Sequence, residues 1–215
     1  MRLDVWQRLH DTLTPGVQPD QESFAVALGD RQLLLPIRTL PDGERGVASL
    51  ILNQASFAVL DALADVVTEQ LRPYDPEVIV AVPTLGLPLA EAVARRLGHD
   101  RLVPLGNSRK FWYDDDLSVP MSSITTPGGG KRLYLDPRMR PLLDARVAVV
   151  DDVLSTGSSM AAVLALLETA GVDPLAIGAA MLQGEGWTGR VGAVPVHGAF
   201  RTPILAKAPD GWHLP

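Results

Sequence analysis

The chain contains no cysteine. Disulfides, thiolate zinc sites and cysteine nucleophiles are excluded together, and the absence agrees with the expected cytoplasmic location. It also lacks an excess of positive charge, since 25 acidic against 19 basic residues leave a formal net charge of -6. A general nucleic-acid binder carries a basic surface, so no nucleic-acid partner is expected, although a local basic pocket for an anionic substrate stays open. No apolar run approaches the roughly 20 residues that span a bilayer. Residues 1–13 are charged and interrupted, unlike a secretory signal, so no membrane partner is expected either. The four histidines (His10, His99, His197, His213) show no metal-ligand spacing. Internal repeats, low-complexity tracts and long linkers are missing too. What remains is a chain of 215 residues, 47% hydrophobic and 20% charged, read as one globular domain with a substantial core.

What is present centres on Val147-Ala148-Val149-Val150-Asp151-Asp152-Val153-Leu154-Ser155-Thr156-Gly157-Ser158-Ser159-Met160. Four apolar residues without alternation read as a parallel strand buried on both faces. Two carboxylates follow at its carboxyl end, then a turn of Ser, Thr and Gly. Met160, Val163, Leu164 and Leu167 recur at helical spacing, and Gly171 closes that helix. Backbone N–H groups at a helix start have no intrahelical partner and bind phosphate oxygens. Ser155, Thr156, Ser158 and Ser159 add hydroxyls, while Asp151 and Asp152 stand ready to accept hydrogen bonds from sugar hydroxyls. An acidic pair alone also occurs as a helix cap or solvated strand end. The whole composite is far more specific, and it describes a place to hold a phosphorylated sugar.

The remaining elements supply a frame. Residues 1–20 begin with an amphipathic piece (Val5, Trp6, Leu9, Leu13). Residues 24–28 and 31–37 read as a hairpin turning at Gly29-Asp30, and residues 41–44 as another turn. Phe57, Leu60, Leu63, Ala64, Val67 and Leu71 mark one helix face. Residues 78–82 are a second buried strand, followed by the turn Pro83-Thr84-Leu85-Gly86-Leu87-Pro88 and a helix over 89–97 closed by Gly98. Residues 101–105 and 175–182 read as further strands. Strand and helix in alternation predict a parallel sheet, with ligands gathered at the carboxyl ends of its strands. Both the turn at 83–88 and the acidic turn fall on that edge. The segment between Leu105 and Val147 is long and irregular, as functional loops are. It carries Arg109, Lys110, an aromatic trio, an acidic run and a glycine run before Lys131-Arg132. Its flanks at 119–125 and 132–135 are expected to pair as a ribbon.

On these residues the chain resembles the type I phosphoribosyltransferases, most closely in layout the adenine and xanthine enzymes. The resemblance implies an α/β fold: an open, mostly parallel sheet with helices on both faces, a core over 50–182, a flexible lid over 106–146, and a small hood from residues 1–49 and 183–215. It implies transfer of the ribosyl 5-phosphate group from phosphoribosyl pyrophosphate to a nucleobase, a purine, with release of pyrophosphate. The alternative is a non-catalytic regulator that binds the same donor. Asp151 and Asp152 would be the catalytic pair contacting the ribose diol, and Ser155, Thr156, Gly157, Ser158 and Ser159 would cradle its phosphate. Thr84, Leu85, Gly86 and Leu87, with Arg109, Lys110 and Lys131, would meet the pyrophosphate. Leu52-Asn53-Gln54 is similar to a base-contacting stretch of xanthine enzymes, which makes Asn53 a base contact; Lys207 in the tail is a second candidate. Mg2+ is the implied cofactor, carried by the substrate with Asp151 as the candidate protein contact, and a homodimer is the implied assembly.

Overall fold

Unbroken apolar runs form parallel strands when helices cover both faces of a sheet. The computed structural model describes residues 4–121 and 132–214, and in it five such strands lie parallel. Their order is Val196–Thr202, Ala176–Gln183, Val147–Leu154, Val78–Ala81, Val103–Pro104. All of Ala176–Gln183 is buried, which is why its sequence shows no alternation. Helix α1 (Phe57–Leu71) starts where the Ser56 hydroxyl accepts the Val59 N–H at 3.3 Å, an N-cap that satisfies one otherwise orphaned donor. Its Val59, Leu63, Ala64, Val67 and Leu71 are fully covered, each large side chain contributing about 1.5–3 kcal/mol by leaving water. With helix α2 (Leu87–Arg96) they pack against the sheet face carrying Ala148 and Val150. Helix α3 (Ser158–Thr169) packs on the opposite face with Val147 and Val149. The expected sheet with helices on both faces is therefore present.

The two ends of the chain build a second, antiparallel sheet. It runs Gly16–Val17, Ser23–Leu28, Arg31–Thr39, Arg45–Ala48, Ile204–Ala208, Gly211–His213, with Leu9–His10 also pairing to Arg31–Thr39. The expected hairpin is there, with Leu28 opposite Arg31 and Gly29 at φ 63°, a conformation that costs glycine little. Three features were not read from the sequence. Residues 5–7 form a turn, and Val5 and Trp6 are buried there with the Trp6 indole donating to the Ser49 carbonyl at 3.0 Å. Val196–Thr202 is a strand whose half-exposed residues blur the apolar signal of an edge position. Arg45–Ala48 finds its partner in Ile204–Ala208, far along the chain. Gln183 joins the two sheets, its amide N–H donating to the Ala48 carbonyl at 2.9 Å in a buried bond.

The expected ribbon forms where Ser118–Pro120 pairs with Arg132–Tyr134. Leu133 and Leu135 are fully buried, so the base of the ribbon is anchored in the core. The tip, with the glycine run and Lys131, lies outside the described residues. Beside the ribbon, the Asp136 carboxylate accepts from Arg138 at 2.6 Å and from the Trp112 indole at 3.3 Å. The Arg138 hydrogen bond, first among the causes, holds the Asp136 carboxyl down to about 2. A carboxyl lowered in the folded state stabilises above its unfolded value of about 3.9 and loses that contribution as pH falls through the folded one. Arg138→Met should therefore flatten the decline of melting temperature between about pH 4 and pH 2. Parallel declines in variant and parent would refute the assignment.

Candidate active site

The acidic pair lies inside its strand rather than after it. Val147–Leu154 runs four residues past Val150 because its parallel neighbour is equally long, pairing Asp151 with Ala179 and Leu154 with Leu182. Asp151 is only 6% exposed, and its Oδ1 accepts the Asp152 N–H at 2.8 Å. Burial pushes the Asp151 carboxyl well above the ordinary range, and the neighbouring Asp152 charge adds to it. Asp152 is raised too, chiefly by burial. Among the described residues no cation acts on either group. Two adjacent carboxylates left without positive charge form a donor set that gains from a cation arriving with a ligand.

The turn that follows is held by close packing. Gly157 precedes α3 at φ 76°, and a Cβ there would stand 2.9 Å from the Trp187 Cα. Only glycine meets both requirements. The N-cap Gly157 supplies no side-chain cap to helix α3, and the Ser158 N–H makes only a long 3.4 Å contact with the Thr156 hydroxyl, so the N–H groups of this first turn are placed to receive an anion. The Thr156 and Ser158 hydroxyls lie 3.2 Å apart beside them.

A cavity of about 710 Å3 opens at this edge, within the roughly 300–1,000 Å3 usual for small-molecule sites. Asp151, Asp152 and Ser155, Thr156, Gly157, Ser158 and Ser159 line it together with Asp42, Arg45 and Ser49, which lie in and around strand Arg45–Ala48 of the antiparallel sheet. Met181, Gln183 and Ile204 also line it. The sugar-site residues expected from the sequence are thus gathered in one place, at the carboxyl ends of the parallel strands. Among the described residues no three acidic or histidine side chains converge as a metal cage.

This architecture is shared. Residues 47–190, more than half of the chain, match the model of the phosphoribosyl transferase domain. The chain belongs to that phosphoribosyltransferase family. It is 33% identical over 128 residues to a hypoxanthine/guanine phosphoribosyltransferase of Methanococcus voltae, covering 59% of this chain and 64% of that protein. The chain thus spans less than two thirds of that relative's length. An adenine phosphoribosyltransferase of Corynebacterium efficiens is 31% identical over 154 residues, covering 69% of this chain and 73% of the relative. Among solved structures, the Giardia lamblia adenine enzyme complexed with 9-deazaadenine superimposes with a TM-score of 0.59 at 25% identity, over 77% of this chain and 93% of that one.

The other residues expected from the sequence lie outside the cavity lining. Gly86 touches the acidic strand, since a Cβ on it would lie 2.7 Å from the Val82 carbonyl oxygen and 2.8 Å from Asp151 Oδ1. Its missing side chain is used to pack the turn on Asp151, a reason the sequence alone did not supply. The Pro83–Thr84 peptide is cis, and the Asn107 amide donates to the Thr84 hydroxyl at 3.2 Å, tying the start of the irregular segment to this turn. Thr84, Leu85, Gly86 and Leu87 are not among the residues lining the cavity. Arg109 is held by Asp115 at 2.8 Å, and neither it nor Lys110 lines the cavity. Asn53 sits exposed in a short 3-10 turn, Leu52–Gln54, where Ser56 and not Asn53 caps the following helix. Lys207 is exposed, with its ammonium 5.8 Å from the centre of the Trp212 ring. Neither base candidate reaches the cavity.

The lining residues that sequence reading missed include Asp42, Arg45, Ser49, Gln183 and Glu185, and two of them carry buried polar groups. Gln183 is 7% exposed, and its amide N–H is committed to Ala48, which fixes the side chain and leaves its carbonyl as the remaining polar group. Ser49 has a buried hydroxyl oxygen with no partner among the described residues. One signal could have found Gln183: it ends a parallel strand, where ligands of such sheets gather.

Proposed function

We propose that this protein transfers the ribosyl 5-phosphate group from phosphoribosyl pyrophosphate to a purine base, releasing pyrophosphate. The observation that carries this reading is the single cavity lined by the acidic pair, with Asp151 buried, and by the hydroxyl turn and start of helix α3. The bond from the sugar's anomeric carbon to pyrophosphate breaks, a bond from that carbon to a base nitrogen forms, and the base gives up a proton. As pyrophosphate departs, positive charge grows on the sugar ring. Asp151 and Asp152 accept the ribose hydroxyls and favour that charge. Residues 155–159 hold the sugar phosphate with backbone N–H groups and hydroxyls. Residues 84–87 offer backbone donors to the leaving group, joined by Arg109 once it exchanges Asp115 for the anion, and by Lys110. Gln183, whose N–H is held by the Ala48 carbonyl, presents its amide carbonyl to the base. Mg2+, arriving on the donor beside Asp151, would supply Lewis-acid neutralisation of the pyrophosphate. The segment over 106–146 serves as a lid that keeps water from the donor, and the antiparallel sheet serves as the hood over the base. A cytoplasmic homodimer completes the proposal.

The test incubates the protein with Mg2+, phosphoribosyl pyrophosphate and a panel of adenine, guanine, hypoxanthine and xanthine. Base-dependent pyrophosphate release with at least one of them is the expected result. Tight donor binding without release from any base would overturn catalysis and favour the regulator.

A further inference from the structure

We infer that Arg190 is a further phosphate-binding residue of this site, the cation that secures the terminal phosphate of the sugar donor at the start of α3. The inference rests on the phosphoribosyl reading above. Its Nη1 donates to the Ser158 hydroxyl at 2.9 Å, and Ser158 is the first residue of that helix. The backbone that carries Arg190 is pressed against the turn: a Cβ on Gly157 would stand 3.2 Å from the Arg190 Cβ and 2.9 Å from the Trp187 Cα. Trp187 is buried, its indole donates to the Gly184 carbonyl at 3.1 Å, and the Arg190 N–H donates to the Trp187 carbonyl at 2.9 Å. The root of the arginine is therefore fixed beside the phosphate turn, while its guanidinium stays exposed.

Charge gives the second reason. Residues 147–189 contain no lysine or arginine, so the acidic strand, the turn and α3 meet a phosphate dianion with neutral donors and two aspartates. Other arginines nearby are engaged: Arg45 by Asp42, Arg201 by Glu185 and Arg109 by Asp115. Arg190 forms no ion pair with a described carboxylate, and its contact with Ser158 uses one of the guanidinium's five N–H donors. The rest suit the planar, forked recognition that arginine gives phosphate. Ser158 accepts from Arg190 and shares a 3.2 Å hydrogen bond with the Thr156 hydroxyl, so an arriving anion meets a linked pair of hydroxyls beside the guanidinium. Four hydroxyls and a glycine mark the turn in the sequence, but the cation comes from a loop 32 positions beyond Ser158.

The experiment uses the full chain and compares Arg190→Ala and Arg190→Lys with the parent, reading the inhibition constants of ribose 5-phosphate and pyrophosphate separately. Arg190→Ala should weaken ribose 5-phosphate about tenfold or more, the loss of a charge-assisted hydrogen bond. Pyrophosphate and the KM of the base should stay within about twofold, and lysine should restore part of the loss because it keeps the charge without the fork. Unchanged ribose 5-phosphate binding, or equal weakening of pyrophosphate, overturns the role while leaving the phosphoribosyl reading intact. A parent protein that binds neither ribose 5-phosphate nor phosphoribosyl pyrophosphate overturns that reading itself. Should the alanine variant fail to fold, Arg190→Gln decides on the same two constants.

Discussion

Asparagine at either position of the acidic pair is expected to lower turnover and raise stability. Asp152→Asn should reduce kcat/KM at least tenfold. A hydrogen bond to a charged acceptor is worth about 1.5–3 kcal/mol, and about 1.4 kcal/mol is a factor of ten. The stability effect has the opposite sign and is clearest at Asp151. Its carboxyl is raised in the folded state by burial and by the Asp152 charge. A raised carboxyl binds its proton more readily in the folded chain, so its ionisation weakens the fold increasingly as pH climbs above the unfolded value of about 3.9. Asparagine removes that charge and keeps the Oδ1 that accepts the Asp152 N–H. The ligand-free melting temperature of Asp151→Asn should therefore exceed the parent's at pH 7.5, with the gap closing toward pH 4. A variant less stable at neutral pH, or a gap independent of pH, would show that the pair is comfortably ionised and remove the physical basis for its wanting a cation.

Gly86→Ala is expected to damage both stability and catalysis. Gly86 has an ordinary φ of -72°, so alanine meets no backbone penalty and the effect is purely steric. The new carbon would stand 2.7 Å from the Val82 carbonyl, 2.8 Å from Asp151 Oδ1 and 2.9 Å from the Asp151 Cα. Two of these neighbours are backbone of the sheet and its exit, which cannot swing aside. Overpacking of this kind costs about 1–3 kcal/mol, and at this chain length each kcal/mol lowers the melting temperature by about 2–4 °C. Because the displaced group is Asp151, kcat/KM should fall as well. Gly189→Ala is the comparison, since a Cβ there meets nothing within 4 Å and its φ is ordinary. Equal melting and equal kinetics in the two variants would mean that the turn at Gly86 does not brace the acidic strand.

Features whose chemistry is local were legible in the order of residues alone. The stripe read at Leu63, Ala64, Val67 and Leu71, the hairpin at Gly29 and the run at Val147 each carry their period or turn residues within a few positions, although Phe57, expected on that stripe, is 84% exposed and Val59 is buried instead. The phosphate turn is legible for the same reason, because strand, acids, hydroxyls and helix start are contiguous. Features that depend on residues distant in sequence emerged from packing. Arg45–Ala48 becomes an interior strand by pairing with Ile204–Ala208, and no local pattern in either segment names the other. Asp151 is buried because the turn at Gly86 closes over it, so its raised carboxyl could not be read from the acids alone. Ser49 and Gln183 line the cavity, and Arg190 meets its Ser158, through folding geometry across two sheets and a loop rather than through spacing. Periodicity reports which face of an element is covered, and only packing reports what covers it.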